Sequence, residues 1–124
     1  MRVFKTKPFA RFAGREGIAD EDLCETVRQA ERGLVDADLG GGVIKQRLAR
    51  KGQGKSGGFR TIVLLRRGSK AFFVYGFAKS DRDNISRDEL KAFRRLADEM
   101  LALDDAALTA AMRNGTIMEV DCHA

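Results

Sequence analysis

The sequence predicts one α+β domain over residues 1–124: a small twisted, mainly antiparallel sheet with helices ahead of it and a helical segment packed on it behind. Three observations lead there. The middle of the chain reads as a run of strands, helical periodicity is confined to the two ends, and no linker or internal repeat divides the 124 residues. A chain of this length buries roughly two-thirds of its unfolded surface. Eight Phe within a 44% hydrophobic content supply one core without a metal or disulfide staple.

Arg2-Val-Phe-Lys5 has the character of a short edge strand. Thr6 offers a helix N-cap, and Pro8 falls in the first turn, where its missing N–H is harmless. Phe9 and Phe12 share a face, and Gly14 and Gly17 end this short helix. A second helix is expected from an Asp20 N-cap, with acids in its first turn. It carries Leu23, Val27, Ala30 and Leu34 at helical spacing and ends near Gly33.

The middle reads as a meander of three strands, Val43 to Arg50, Phe59 to Arg66 and Ala71 to Ala78. Arg67-Gly-Ser-Lys70 is the tight turn of a hairpin. Alternation points Phe59, Thr61, Val63 and Leu65 one way, and likewise Phe73, Tyr75 and Phe77 on the next strand. Ser86-Arg-Asp-Glu89 is a capping box ahead of the stripe Leu90, Phe93, Leu96, Ala97, Met100 and Leu101. Asp104 and Asp105 can cap a further helix ending at Asn114-Gly115, and residues 116–120 can add a short strand.

Charge is segregated along the chain. The formal net charge is +5, yet Leu39 to Ser80 holds ten basic residues and no acid, +10, whereas the remainder has thirteen basic and eighteen acidic residues, −5. Ordinary surfaces mix signs, so an acid-free segment this long points to a polyanion, nucleic acid first. Cys24 and Cys122 lie far apart with no CxxC partner, and one histidine adds too little for a zinc or iron–sulfur site. Cys24 reads as a small buried residue, and His123 as a tail position. No secretory signal and no membrane-length apolar run is visible. The expectation is a reduced, soluble, cytoplasmic protein with no metal, no cofactor and no membrane partner.

Ala49-x-x-x-x-Gly54-Lys55-Ser56 passes a relaxed phosphate-loop pattern. Such a loop must lead from a strand into a helix, so that helix N–H groups meet the phosphates. Here Gly57 and Gly58 lead into a β segment instead, and the nucleotide reading fails. The loop fits better as a cationic connection beside an RNA backbone. Arg50, Lys51, Lys55 and Arg82 then bind RNA, Lys45 and Arg47 project together from the strand ahead of the loop, and Lys79 closes the last strand of the meander, just ahead of Arg82. No isolated carboxylate pair stands out for acid–base work, so an enzyme here would use Lys, Arg or Tyr.

Ile44-Lys-Gln-Arg-Leu-Ala-Arg50, Gly52-Gln-Gly-Lys-Ser-Gly-Gly-Phe-Arg60, Phe72-Phe-Val-Tyr-Gly-Phe-Ala-Lys79 and Asn84-Ile85 ahead of Glu89-Leu90 together resemble the HigB-like branch of the RelE/ParE toxin superfamily, closely over residues 40 to 95. The resemblance implies the toxin of a type II toxin–antitoxin system that cuts messenger RNA on the ribosome without a metal. The RNA 2′-hydroxyl attacks the neighbouring phosphodiester, and basic side chains hold the phosphate. By the same resemblance Arg60, Lys45, Arg47 and Lys79 are the catalytic candidates, and a helix-turn-helix antitoxin, the ribosome and mRNA are the partners. ParE-like relatives instead bind gyrase, which leaves a catalytically silent or gyrase-targeting module as the alternative. One departure stands out. Many RelE-type toxins carry a Tyr at the start of the last helical segment, where this chain reads Asn84-Ile85-Ser86. The one tyrosine, Tyr75, is mid-strand at a position compatible with the core, and Lys45 or Lys79 remains open as the base.

Overall fold

The computed structural model describes residues 1–49 and 58–122. Its elements run β1 (Arg2–Thr6), α1 (Lys7–Glu16), α2 (Asp20–Glu31), β2 (Ala37–Gly40), β3 (Val43–Leu48), β4 (Phe59–Arg66), β5 (Lys70–Ala78), α3 (Arg87–Met100), α4 (Asp105–Arg113) and β6 (Ile117–Val120). The six strands form one sheet in the order β2-β3-β4-β5-β1-β6, antiparallel except where β1 pairs with β5. Helices cover both faces, and because the sheet is mainly antiparallel with the helices grouped before and after the β2–β5 run, the fold is α+β. Val3, Phe9, Phe12, Leu23, Val27, Phe59, Val63 and Phe73 pack together on the α1/α2 side, and Phe4, Ile62, Leu64, Phe72, Ala97 and Leu108 on the α3/α4 side. No described helix is long and apolar enough to cross a membrane.

β1 is an interior strand and not the expected edge. Val3 and Phe4, neighbours pointing to opposite faces, are both buried, which requires cover on both sides. The flanking cations that suggested an edge are paired: Arg2 with Glu119 at 2.8 Å and Lys5 with Asp20 at 2.9 Å. The edges are β2 and β6. β2 escaped the sequence reading because Ala-Asp-Leu-Gly has little β propensity, and its pairing with β3 holds it in place.

The helix caps follow local chemistry. Thr6 Oγ1 accepts the Phe9 N–H, and Gly17 closes α1 at φ 68°, a left-handed conformation that suits glycine. α2 is capped one residue earlier than expected, at Ala19, whose N–H donates to the Asp22 carboxylate at 3.1 Å. Asp20 is left to pair with Lys5. α2 stops at Glu31, so Leu34 falls outside the helix and is exposed, with its carbonyl accepting from Gln46. The Ser86–Glu89 capping box of α3 and the Asp104 cap of α4 form as expected.

Two features depart from the sequence reading in ways that matter. Ile62 pairs with Tyr75 but the next residue, Val63, pairs with Phe73, so Val74 is an extra residue in β5 and makes a β-bulge. The bulge breaks the alternation. Phe73 points toward α1 and α2, while Tyr75 packs with the α3 side, 5.8 Å from the Phe93 ring. The expectation that Phe73, Tyr75 and Phe77 share a face is therefore overturned. Likewise the two cysteines are not free thiols. β6 runs back antiparallel to β1 and returns the chain to α2, where Cys122 and Cys24 form a disulfide across 98 residues of sequence, with Cα atoms 5.6 Å apart.

Closing so long a loop removes chain entropy from the unfolded state, so opening the bond should destabilise the fold by about 2–4 kcal/mol. The expected result is a fall in melting temperature on adding a dithiol reductant, reproduced by Cys24→Ser and absent when reductant is added to that variant. A second test concerns Gly76, which lies under Phe12: a Cβ there would stand 2.4 Å from the ring. Gly76→Ala should cost roughly 1–3 kcal/mol of overpacking, measured by denaturant unfolding.

Candidate functional site

Strand register assembles a cationic patch at the end of the sheet where β3 stops and β4 begins. On the α3 face, the row Val43, Leu64 and Phe72 is buried and apolar. One row on stand Lys45, Ile62 and Tyr75, and beyond them Arg47, Arg60 and Phe77. Lys45 and Arg47 do share one face, because Ile44, Gln46 and Leu48 take the other. Lys79 stands just past β5 at the same end, its N–H donating to the Gly58 carbonyl at 3.1 Å. Three of the expected catalytic residues thus sit on adjacent rows, with the fourth beside them. Arg50, Lys51 and Lys55 lie outside the described residues.

Each cation has a local anchor. Arg47 and Arg60 oppose each other directly, and like charges in that position repel. Asp36, just before β2, draws Arg47 aside: it accepts from the Arg47 backbone N–H at 2.6 Å and from Nε at 3.1 Å. Arg60 is half-buried and donates from Nη1 to the Phe59 carbonyl at 3.4 Å. Lys45 Nζ reaches Asn84 Oδ1 at 3.4 Å, tying β3 to the segment that follows β5.

Arg82 is the most tightly held. It donates to Glu89 at 2.6 and 3.1 Å, to the Tyr75 hydroxyl at 2.9 Å and to the Asn84 carbonyl at 2.9 Å. Its guanidinium also lies over the rings of Tyr75 and Phe77, 5.8 and 5.5 Å from their centroids. The Arg82 bond, reinforced by the Ser86 backbone N–H, lowers the Glu89 carboxyl to a pKa of about 2. Tyr75, compatible with a core position by sequence alone, is half-buried at the border of the patch. With Arg82 it lines a groove of about 560 Å³ between α1 and the end of β5, to which Arg11 and Arg15 also contribute.

Tyr75, Asn84, Glu89 and Asp36 are the residues of this patch that sequence reasoning did not single out as functional. A hydroxyl in a strand otherwise written in Phe was the available signal, since a buried Tyr O–H needs a partner. Asp36 had none. Among the described residues, no group of three or more His, Cys, Asp or Glu could hold a metal ion. Fixed cations and one phenol on a rigid sheet can bind a polyanion, neutralise developing charge on phosphate oxygens and exchange a proton.

A family model described as the RelE toxin of the RelE/RelB toxin–antitoxin system matches residues 1–120. The chain belongs to the RelE toxin family. No curated protein matches it. As a RelE-family protein it is the toxin of a toxin–antitoxin system, and an antitoxin is its expected partner. The match covers the whole sheet and all four helices, well beyond the residues that carried the resemblance.

The Arg82–Glu89 pair gives a pH-dependent stability with a defined sign. A carboxyl whose folded pKa lies below its unfolded value stabilises the fold above the unfolded pKa and loses that contribution as pH falls toward the folded one. The melting-temperature difference between wild type and Glu89→Gln should therefore be full at pH 6. It should shrink between pH 4.5 and about 2, the ordinary and lowered values of Glu89.

Proposed function

We propose that this RelE-family toxin is a ribosome-dependent mRNA endoribonuclease of the HigB-like kind, which inhibits translation in the cytoplasm and is neutralised by a helix-turn-helix antitoxin. The observation that carries the reading is the pair of cross-strand rows that set Lys45, Arg47 and Arg60 on one sheet face, beside Lys79. RNA cleavage by its own 2′-hydroxyl needs little from the protein except in-line positioning and charge. The phosphorane that forms carries more negative charge than the starting diester, so a cation fixed beside it stabilises the transition state more than the ground state. Strand-borne cations suit this role because their positions are set before the RNA arrives.

In this reading Arg60 bears on the phosphorane oxygens. Its guanidinium offers planar, bidentate donors that an ammonium cannot reproduce. Lys45 and Arg47 hold the flanking phosphate and ribose, and Lys79 guards the open end of the patch. Arg50, Lys51 and Lys55 are further RNA-binding residues in this reading. Asp36 holds Arg47 toward the segment before β2 and Asn84 holds Lys45 toward the segment after β5, instead of leaving both side chains spread in solvent.

Expression of the chain alone should arrest translation and leave cleaved message on ribosomes. Arg60→Lys should lose roughly a hundredfold in cleavage rate, equivalent to about 3 kcal/mol, with an unchanged melting temperature. Arg67→Ala, in the turn at the far end of the β4–β5 hairpin, should be silent. Growth arrest with intact message and inhibited gyrase would replace this reading with that of a gyrase-directed toxin.

A further inference from the structure

We propose that Tyr75 donates the proton to the leaving oxygen of the cleavage step, and that Arg82, held by Glu89, is the positioning residue that makes this possible. The proposal rests on the reading of this protein as a ribonuclease and adds residues to its site.

Tyr75 stands in the same cross-strand row as Lys45, one row from Arg60, so a phosphate held by those two cations lies within the reach of this sheet face. Its ring is fixed between Phe77 and Phe93, with centroids 5.9 and 5.8 Å away. Its hydroxyl oxygen accepts from Arg82 Nη1 at 2.9 Å. A hydroxyl that accepts from a guanidinium still has its own O–H to give, and it cannot give that hydrogen to the guanidinium, which has no acceptor. The proton is thus left for an acceptor other than Arg82.

Arg82 itself is a poor phosphate clamp. Its contacts to Glu89, Tyr75 and Asn84 use four of the five N–H donors that a guanidinium carries. What it retains is a positive charge beside the phenol oxygen. That is what a tyrosine acid needs, because giving up its proton leaves a phenolate. Glu89 fixes the guanidinium with one carboxylate while also capping α3 through Ser86, so the position of Arg82 is tied to the start of that helix.

The step balances as follows. The ribose 2′-oxygen bonds to phosphorus, and its proton passes to water. The bond from phosphorus to the 5′-oxygen breaks, and that oxygen keeps the electron pair. The Tyr75 proton moves to the 5′-oxygen, the phenolate rests against Arg82, and water then reprotonates it. The products are a 2′,3′-cyclic phosphate and a 5′-hydroxyl. Nothing is oxidised or reduced.

The test is single-turnover cleavage on programmed ribosomes with two messages, one natural and one with sulfur replacing the bridging 5′-oxygen at the scissile linkage. A thiolate leaves without being protonated. Tyr75→Phe keeps the ring and removes only the hydroxyl. It should cleave the natural message at least a hundredfold more slowly, within the range of a lost general acid, and cleave the sulfur-bridged message at the wild-type rate. Glu89→Gln should show a smaller loss with the same rescue. An unaltered rate of Tyr75→Phe on the natural message overturns the proposal and leaves the ribonuclease reading intact. Equal losses on both messages also overturn it, since they make Tyr75 a packing or binding residue. A wild-type chain that cleaves neither message overturns the functional reading and this proposal together.

Discussion

The inserted residue Val74 decides which side chains the cationic face can use. Were Val74 paired as an ordinary ladder residue, β5 would alternate regularly through Phe73, Tyr75 and Phe77, and all three would point toward α1 and α2. With the bulge, Phe73 stays in that core while Tyr75 crosses to the face that carries Lys45 and Arg60. A bulge sacrifices ladder regularity and increases local twist. Here it is accommodated because Gly76 follows, and Phe12 packs into the space where a side chain would otherwise stand. The packing of α1 on one face and the position of the phenol on the other thus depend on the same few residues of β5.

The second organising constraint is the crowding of like charge. Arg47 and Arg60 face each other, Lys45 is one row away, and Lys79 stands at the strand end. Asp36 lies outside the sheet and pulls Arg47 sideways, and Glu89 holds Arg82 from the first turn of α3. These acids come from segments that flank the meander, which itself contains none. Each ion pair is partly exposed and contributes little to stability. Its effect is geometric, because it fixes a long side chain that would otherwise sample many rotamers.

Much of this was legible in the sequence because it depends on near neighbours. The Thr6, Ser86 and Asp104 caps, the hairpin turn after Arg66 and the shared face of Lys45 and Arg47 follow from residues within a few positions of one another. The errors came where distant segments meet. β1 looked like an edge because its cations read as solvent-facing until Glu119 and Asp20 arrived beside them. Tyr75 was compatible with the core because alternation, extrapolated through a bulge, gives the wrong side. Asp36 and Glu89 were ordinary acids until the fold brought them to Arg47 and Arg82.

The sequence by itself determined that this chain builds a meander of strands between helical ends, that its positive charge is concentrated in that meander, and that the basic strand residues Lys45 and Arg47 project from one side. Those properties are set by period, composition and local capping, which depend on residues close together in the chain. The tertiary structure alone decided that Cys24 and Cys122 meet across 98 residues, that β1 lies inside the sheet, and that Tyr75, Arg82 and Glu89 join the cationic patch. The reason is physical: strand order, register and a one-residue bulge are chosen by the packing of both sheet faces at once, and that choice is made between segments far apart in the chain.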